Sequence, residues 1–389
     1  MMNNDAYRDP ERVRALTRHL AERARDLTRR ITIMEVCGTH THAISEAGLR
    51  RLLPEKVKLI SGPGCPVCVT PVDYLDRAIA LARRPDVIVC TFGDLLRVPA
   101  TQSSLERERA EGCDIRPMYS PREALTVARE NPEKQVVFLG VGFETTVPTF
   151  TAALDEAERE GIANFLILTG AKLIEPPLRA LLEDGEVEVD AFLLPGHVSV
   201  ILGSDFYRFL AEDYAVPAAI AGFAPVDILA GVCELVEQLA AGRPRIANLY
   251  SRVVTPEGNK SAQELMARYF EPADTRWRGL GEIPASGLAL RPQYARRDAW
   301  RIPVEVIQSR EPGGCRCGEV LKGTIEPPEC PLFEKACVPE NPIGACMVSS
   351  EGTCAAWYRH ERFALGGGRG EGMSEGMDRG MGARTGTQR

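Results

Sequence analysis

Cys65 and Cys68 stand three residues apart in the run GPGCPVCVT, residues 62 to 70, directly after an apolar stretch and a Gly-Pro-Gly turn. Pro66 marks a place where a helix can begin, and a thiol at such a start is favoured as thiolate by the free N–H groups. The spacing serves disulfide exchange or two ligands to a soft metal equally well. Cys37 ends another apolar stretch in MEVCGTHTH, followed by His40 and His42. A structural zinc site needs a second pair of ligands, and near the Cys65/Cys68 pair only Cys37 or a histidine could help complete one. Related turns further along carry Glu144 in GVGFETT and His197 in LPGHVS, candidates for proton carriers or for groups that orient a ligand. Asp94 in TFGDLLRVPA is a third such candidate, although capping a helix is the plain role for Asp94, Glu144 and Thr145.

Six further cysteines crowd together at positions 315, 317, 330, 337, 346 and 354, with no histidine among them. Their wrapping is rich in Pro and Gly and poor in large apolar residues, so a metal centre or a disulfide must supply the missing stabilisation. Thiolate-only ligation fits a four-cysteine zinc site or a [4Fe-4S] cluster. Four ligands leave two sulfurs for a redox disulfide. The favoured division gives Cys315, Cys330, Cys337 and Cys354 to the metal and leaves Cys317 and Cys346 as the pair, but the spacing does not fix it. Cys90, in the apolar run VIVC, Cys233, on an amphipathic helix, and Cys113, before a strand, read as inert packed thiols.

The elements that must hold these groups follow from periodicity. An amphipathic helix over about residues 9 to 29 opens the chain, and ITIMEVCG, VKLISGPG and DVIVCTFG then each run from an apolar strand through a glycine turn toward a helix. The pattern restarts with QVVFLGVGFE, NFLILTG, DAFLLPGH and PAAIAGFAP, at an offset close to 105 residues, as from Asp86 to Asp190 and from Pro121 to Pro225. This predicts an α/β protein with two similar Rossmann-like parallel domains related by internal duplication, facing each other across a cleft. The expected domains are residues 1–130 with the Cys37/Cys65/Cys68 site, 131–241, a small irregular cysteine-bearing region 242–365 and a disordered tail 366–389. Ligands of such sheets bind beyond the carboxyl ends of the strands, so the three thiols and a histidine converge at one mouth, with Glu144 and His197 facing them from the other domain.

Composition narrows the function. The 389 residues carry a formal net charge of -7, no basic run and no apolar stretch near the roughly 18 residues of a membrane span. Neither nucleic acid nor membrane is expected as a partner, and twelve cysteines in what is expected to be a cytoplasmic protein argue for metal or thiol chemistry. The phosphate-binding run G-x-x-x-x-G-K-[ST] is absent, so nothing here points directly to a nucleotide.

Taken together, CGTHTH, GPGCPVC, TFGDLLRVP, GFETT, PGHVS, CGEVLKG, ECPLF and GACMVSSEGTCAA resemble the HypD family of [NiFe]-hydrogenase maturation proteins from about residue 30 to 360. The resemblance implies a scaffold on which the Fe(CN)2CO group of the hydrogenase active site is assembled. It further implies a [4Fe-4S] cluster among the C-terminal cysteines, and iron carrying cyanide and CO around Cys37, Cys65 and Cys68 with His40 nearby. The implied partners are a small HypC-like chaperone that shares the iron, a HypE-like cyanide donor and, indirectly, the hydrogenase large subunit. This describes an assembly scaffold with redox activity rather than a conventional turnover enzyme. The competing readings are a cluster-dependent thiol-disulfide oxidoreductase using Cys65 and Cys68, and a zinc-stabilised interaction module.

Overall fold

A computed structural model describes residues 9–362. Asp9 caps helix α1 (Pro10–Arg23), its carboxylate accepting from Glu11 N with Pro10 at the first position, where a missing N–H costs nothing. There follow β1 (Ile31–Glu35), α2 (Gly38–Glu46), β2 (Val57–Ser61), the single turn α3 (Pro66–Val69) and α4 (Val72–Ala82). Next come β3 (Val87–Thr91), α5 (Leu105–Ala110), β4 (Ile115–Pro117), α6 (Pro121–Glu130), β5 (Gln135–Gly142), α7 (Val147–Glu160), β6 (Phe165–Ala171) and α8 (Glu175–Asp184). The chain continues through β7 (Ala191–Pro195), α9 (Gly196–Leu202), α10 (Arg208–Glu212), β8 (Ala218–Ala221), α11 (Pro225–Ala241), β9 (Ile246–Asn248) and α12 (Lys260–Tyr269). Last are β10 (Phe270–Trp277), β11 (Gly281–Leu290), α13 (Cys317–Lys322), α14 (Ala345–Val348) and α15 (Thr353–His360).

The α/β class is as expected, with two parallel sheets of order β2-β1-β7-β8-β9 and β4-β3-β5-β6. β1 lies between β2 and β7, Ile33 standing opposite Leu59 on one side and Ala191 on the other. Every residue of β3 and of β7 is buried, which is why VIVCT and AFLLP are continuous apolar runs rather than alternating ones.

These sheets do not follow the expected boundaries at 130 and 241. β1, with β2 on its far side, leaves the first half to pair with β7, β3, with β4 on its far side, pairs with β5, and β9 adds to the first sheet from beyond residue 241. Local pattern specifies a strand and its length but not its partner, because parallel pairing is made by residues far apart in the chain. Exchanging each of β1 to β4 with the strand about 105 residues later turns the order β2-β1-β7-β8 into β6-β5-β3-β4, which is the second sheet.

Residues 260–290, expected to be irregular, form α12 and an antiparallel ribbon in which Phe270 pairs with Leu290 and Trp277 with Gly281. The ribbon lies along the outer strand β6, where Lys172 bridges to Gly287, and covers an edge that an open sheet otherwise leaves bare. Between the sheets one continuous core cluster contains Cys65, Cys68, Cys317, Cys330, Cys337, Cys346 and Cys354. The tail expected from residue 366 lies outside the described residues.

Candidate functional site

Cys37 follows β1 and precedes α2, so its thiol stands at the carboxyl end of a central strand, 6% exposed. Glu35 braces the turn: its carboxylate accepts from Cys37 N at 3.2 Å and from the Thr41 hydroxyl at 2.5 Å. Burial pushes Glu35 up to about 7. Burial likewise pushes Cys37 up to about 12, and Glu351 and Glu35 add to it.

The loop after β2 locks onto that turn. Gly38 N donates to Gly64 O at 3.0 Å, and a Cβ at Gly64 would overlap Cys37 N, so only glycine lets the two strand ends touch. Cys65 comes next, at the start of α3, and is bonded to Cys68 as a disulfide with both sulfurs buried. The three N-terminal thiols therefore stand at neighbouring strand ends of one sheet.

His40 is fully buried, its Nε2 donating to Gly222 O at 2.9 Å and its ring 4.9 Å from Phe223. Burial lowers its pKa to about 4, and Nδ1, buried without a hydrogen-bond partner among the described residues, keeps a free lone pair. His197 stacks on the other side of the site against Phe223 at 4.1 Å and is exposed at the mouth. It does not face the thiols from a second domain, as the duplication led us to expect, because β7 is hydrogen-bonded directly to β1. His42 turns elsewhere and packs edge-on against His360, ring centroids 5.2 Å apart.

Glu144 is at the end of β5, on the other sheet. One carboxylate oxygen accepts from Ile174 N at 2.9 Å, the other is buried without a partner among the described residues, and burial pushes its pKa up to about 7. The Tyr207 hydroxyl, which accepts from the Ser199 hydroxyl at 3.1 Å, lies within electrostatic reach of both Glu144 and Cys37. Asp94 is exposed and accepts from Ser349 Oγ at 3.4 Å, tying the end of β3 to the C-terminal cysteine segment.

In that segment Cys317 Sγ and Cys346 Sγ are in contact at 2.8 Å. Cys317 is flanked by Cys315 as well, and hydrogen bonding with Cys315 and Cys346 holds its thiol well below the ordinary range. Cys354 is within electrostatic reach of Cys315, Cys337 and Cys346, and Cys330 of Cys337. Helix α14, which carries Cys346, packs against α3, which carries Cys68, so the two cysteine groups adjoin through helix contacts. Among the described residues no three His, Cys, Asp or Glu side chains are gathered as a single metal ion requires. Cys90 is buried in β3, Cys233 Sγ donates to Leu16 O at 3.7 Å, and Cys113 is half-buried beside Glu108, all apart from both groups.

Sequence reasoning missed several residues here. Glu35 carried a signal, a carboxylate closing the mostly apolar strand ITIME. Glu351 accepts from the Thr39 hydroxyl at 2.7 Å and reaches the Cys37 turn from the far end of the chain, which no local pattern reveals. Arg278 is 3% exposed and lines a cavity of about 520 Å³ together with Cys315 and Cys317.

A family model described as HypD, hydrogenase formation hypA family, matches residues 11–361. The chain is 48% identical over 367 residues to hydrogenase maturation factor HypD of Escherichia coli (strain K12), covering 92% of this chain and 98% of that protein. It is 44% identical over 368 residues to hydrogenase maturation factor HypD of Rhizobium leguminosarum bv. viciae, covering 92% and 95%. Against hydrogenase expression/formation protein HupD of Azotobacter chroococcum mcd 1 the identity is 45% over 366 residues, covering 92% and 96%.

Proposed function

The chain belongs to the HypD family of hydrogenase formation proteins, and from that premise we propose that it is a redox-active scaffold on which the Fe(CN)2CO group of a [NiFe]-hydrogenase is built. The observation that carries the reading is the backbone contact of Gly64 with the Cys37 turn, which sets Cys37 beside the Cys65–Cys68 pair at neighbouring strand ends. Iron bearing cyanide and CO is soft and electron-rich, and it is the substrate that these thiolates suit. Sulfurs that bind it lose their protons, and His197, exposed at the mouth, and Glu144, behind Tyr207, are the groups we assign to carry them. His40 presents its unprotonated Nδ1 as a further acceptor. A HypC-like chaperone sharing the iron, a HypE-like cyanide donor and the hydrogenase large subunit downstream are the partners this reading requires.

For a [4Fe-4S] cluster the donor set is suitable: Cys315, Cys354, Cys337 and Cys330 follow one another within electrostatic reach, all sulfur, in a segment with little apolar side chain of its own. Those four residues would hold it, and when bound it supplies single electrons. Cys317 and Cys346, already in contact, are the pair we assign to dithiol and disulfide exchange. In the exchange their two sulfurs join, and two electrons and two protons pass to Cys65 and Cys68, whose bond opens.

The test is an infrared spectrum in the cyanide and CO stretching region, taken on protein purified without oxygen together with its small chaperone. Bands are expected in the parent protein and should vanish in Cys65→Ala. The Cys65–Cys68 disulfide favours the oxidoreductase as the second reading. Turnover on a disulfide substrate with no such bands would establish it instead.

A further inference from the structure

We infer that Arg278 is a positioning residue joining the two cysteine groups: it fixes the Cys65–Cys68 turn against the C-terminal segment and supplies a buried positive charge that favours reduced sulfur. The inference rests on the redox part of the function proposed above.

Arg278 follows directly on β10. Its backbone N donates to Val69 O and its Nε to Thr70 O, each at 2.9 Å, so one residue holds the two carbonyls immediately after Cys68. The other end of the side chain meets the C-terminal group. Nη1 pairs with Glu311 at 3.2 Å, Nη2 is buried with no hydrogen-bond partner among the described residues, and the cavity it lines is shared with Cys315 and Cys317. Gly279, at φ +82, completes the junction: a Cβ there would overlap Gly318 Cα, so the backbone after Arg278 rests on the backbone after Cys317.

A guanidinium does not lose its proton, and burying one with a single carboxylate partner is costly unless further negative charge comes near. Reduction of the Cys65–Cys68 disulfide, which ends two residues before the Thr70 carbonyl that Nε holds, creates sulfur able to carry that charge. The fixed cation lowers the free energy of the reduced state, and Glu311 opposes it.

The experiment equilibrates the full-length protein, without oxygen, in dithiothreitol buffers of graded oxidation. Two sulfurs of dithiothreitol close into a ring disulfide while its two electrons and two protons pass to Cys65 and Cys68. Free thiols are trapped with N-ethylmaleimide and the peptide bearing Cys65 and Cys68 is quantified by mass spectrometry. Arg278→Met should move the equilibrium toward the disulfide by about tenfold, about 30 mV for two electrons. Arg278→Lys should restore most of that, and Glu311→Gln should move it the other way. Should Arg278→Met fail to fold, as judged by circular dichroism, Glu311→Gln and Arg278→Lys carry the test. An equilibrium within twofold of the parent in every folded variant overturns the inference. Absence of any reversible couple in the parent fails the redox reading itself, a separate result that also removes the inference.

Discussion

Glu144 offers its carboxylate one backbone donor, Ile174 N, and leaves its second oxygen buried and unpaired. Its pKa therefore rises from 4.5 in the unfolded chain to about 7 in the fold. A carboxyl shifted this way contributes its full stability below pH 4.5, where both states are protonated, and loses it as pH climbs through 7. Glu144→Gln keeps an acceptor for Ile174 N and removes the titration. The stability of the parent relative to Glu144→Gln should fall by up to roughly 3 kcal/mol between pH 4.5 and 7.5, read from urea midpoints at each pH. Glu35, also pushed up to about 7, falls in the same window and so should cancel in that comparison. At this scale the placement of Cys37, Cys65 and Cys68 at strand ends was legible, since it shows as residue types in a pattern. The charges that surround them were not: Glu351 is brought to the Cys37 turn by a side-chain hydrogen bond to Thr39, 312 positions away.

Strand ends and the turns that follow them were also legible as elements, because apolar runs closed by glycine mark the carboxyl ends of parallel strands. The ribbon of β10 and β11 was not. Its burial alternates, as in Phe270 to Trp277, but Pro272 and Pro284 within it and the many charged residues on its outer face gave it the composition of loop. It is this ribbon that delivers Arg278 and Gly279 to the cysteine segment. Gly279→Ala places a Cβ at positive φ and against Gly318 Cα, which the backbone must move to accommodate. Loss of about 2 kcal/mol of stability is expected. Hydrogen exchange should show faster opening of residues 315–323 than of β1 and β7, and uniform protection across both regions would contradict it.

Over the whole molecule, the interleaving of the two sheets has a consequence for cutting the chain. Residues 1–130 contain β1 and β2 of one sheet and β3 and β4 of the other, each pair without the strands beside it. A fragment ending at 130 therefore exposes the inner edges of β1 and β3, whose residues are almost all buried in the intact protein. Expressed alone it should show no cooperative thermal transition by calorimetry, whereas an independent domain would melt in one. The sequence by itself determined the α/β class, the family, the thiols and the turns that present them, because these are properties of residue type and local period. Tertiary structure alone decided which strand lies beside which, and so that His197 shares a sheet with Cys37 while Glu144 belongs to the other. It also decided that α14 rests on α3, and that Glu351 and Arg278 close the site from distant segments. The pairing of β1 with β7 and the contacts of Glu351 with Thr39 and of Arg278 with Thr70 join residues more than a hundred positions apart, and no local window of sequence contains both members of such a contact.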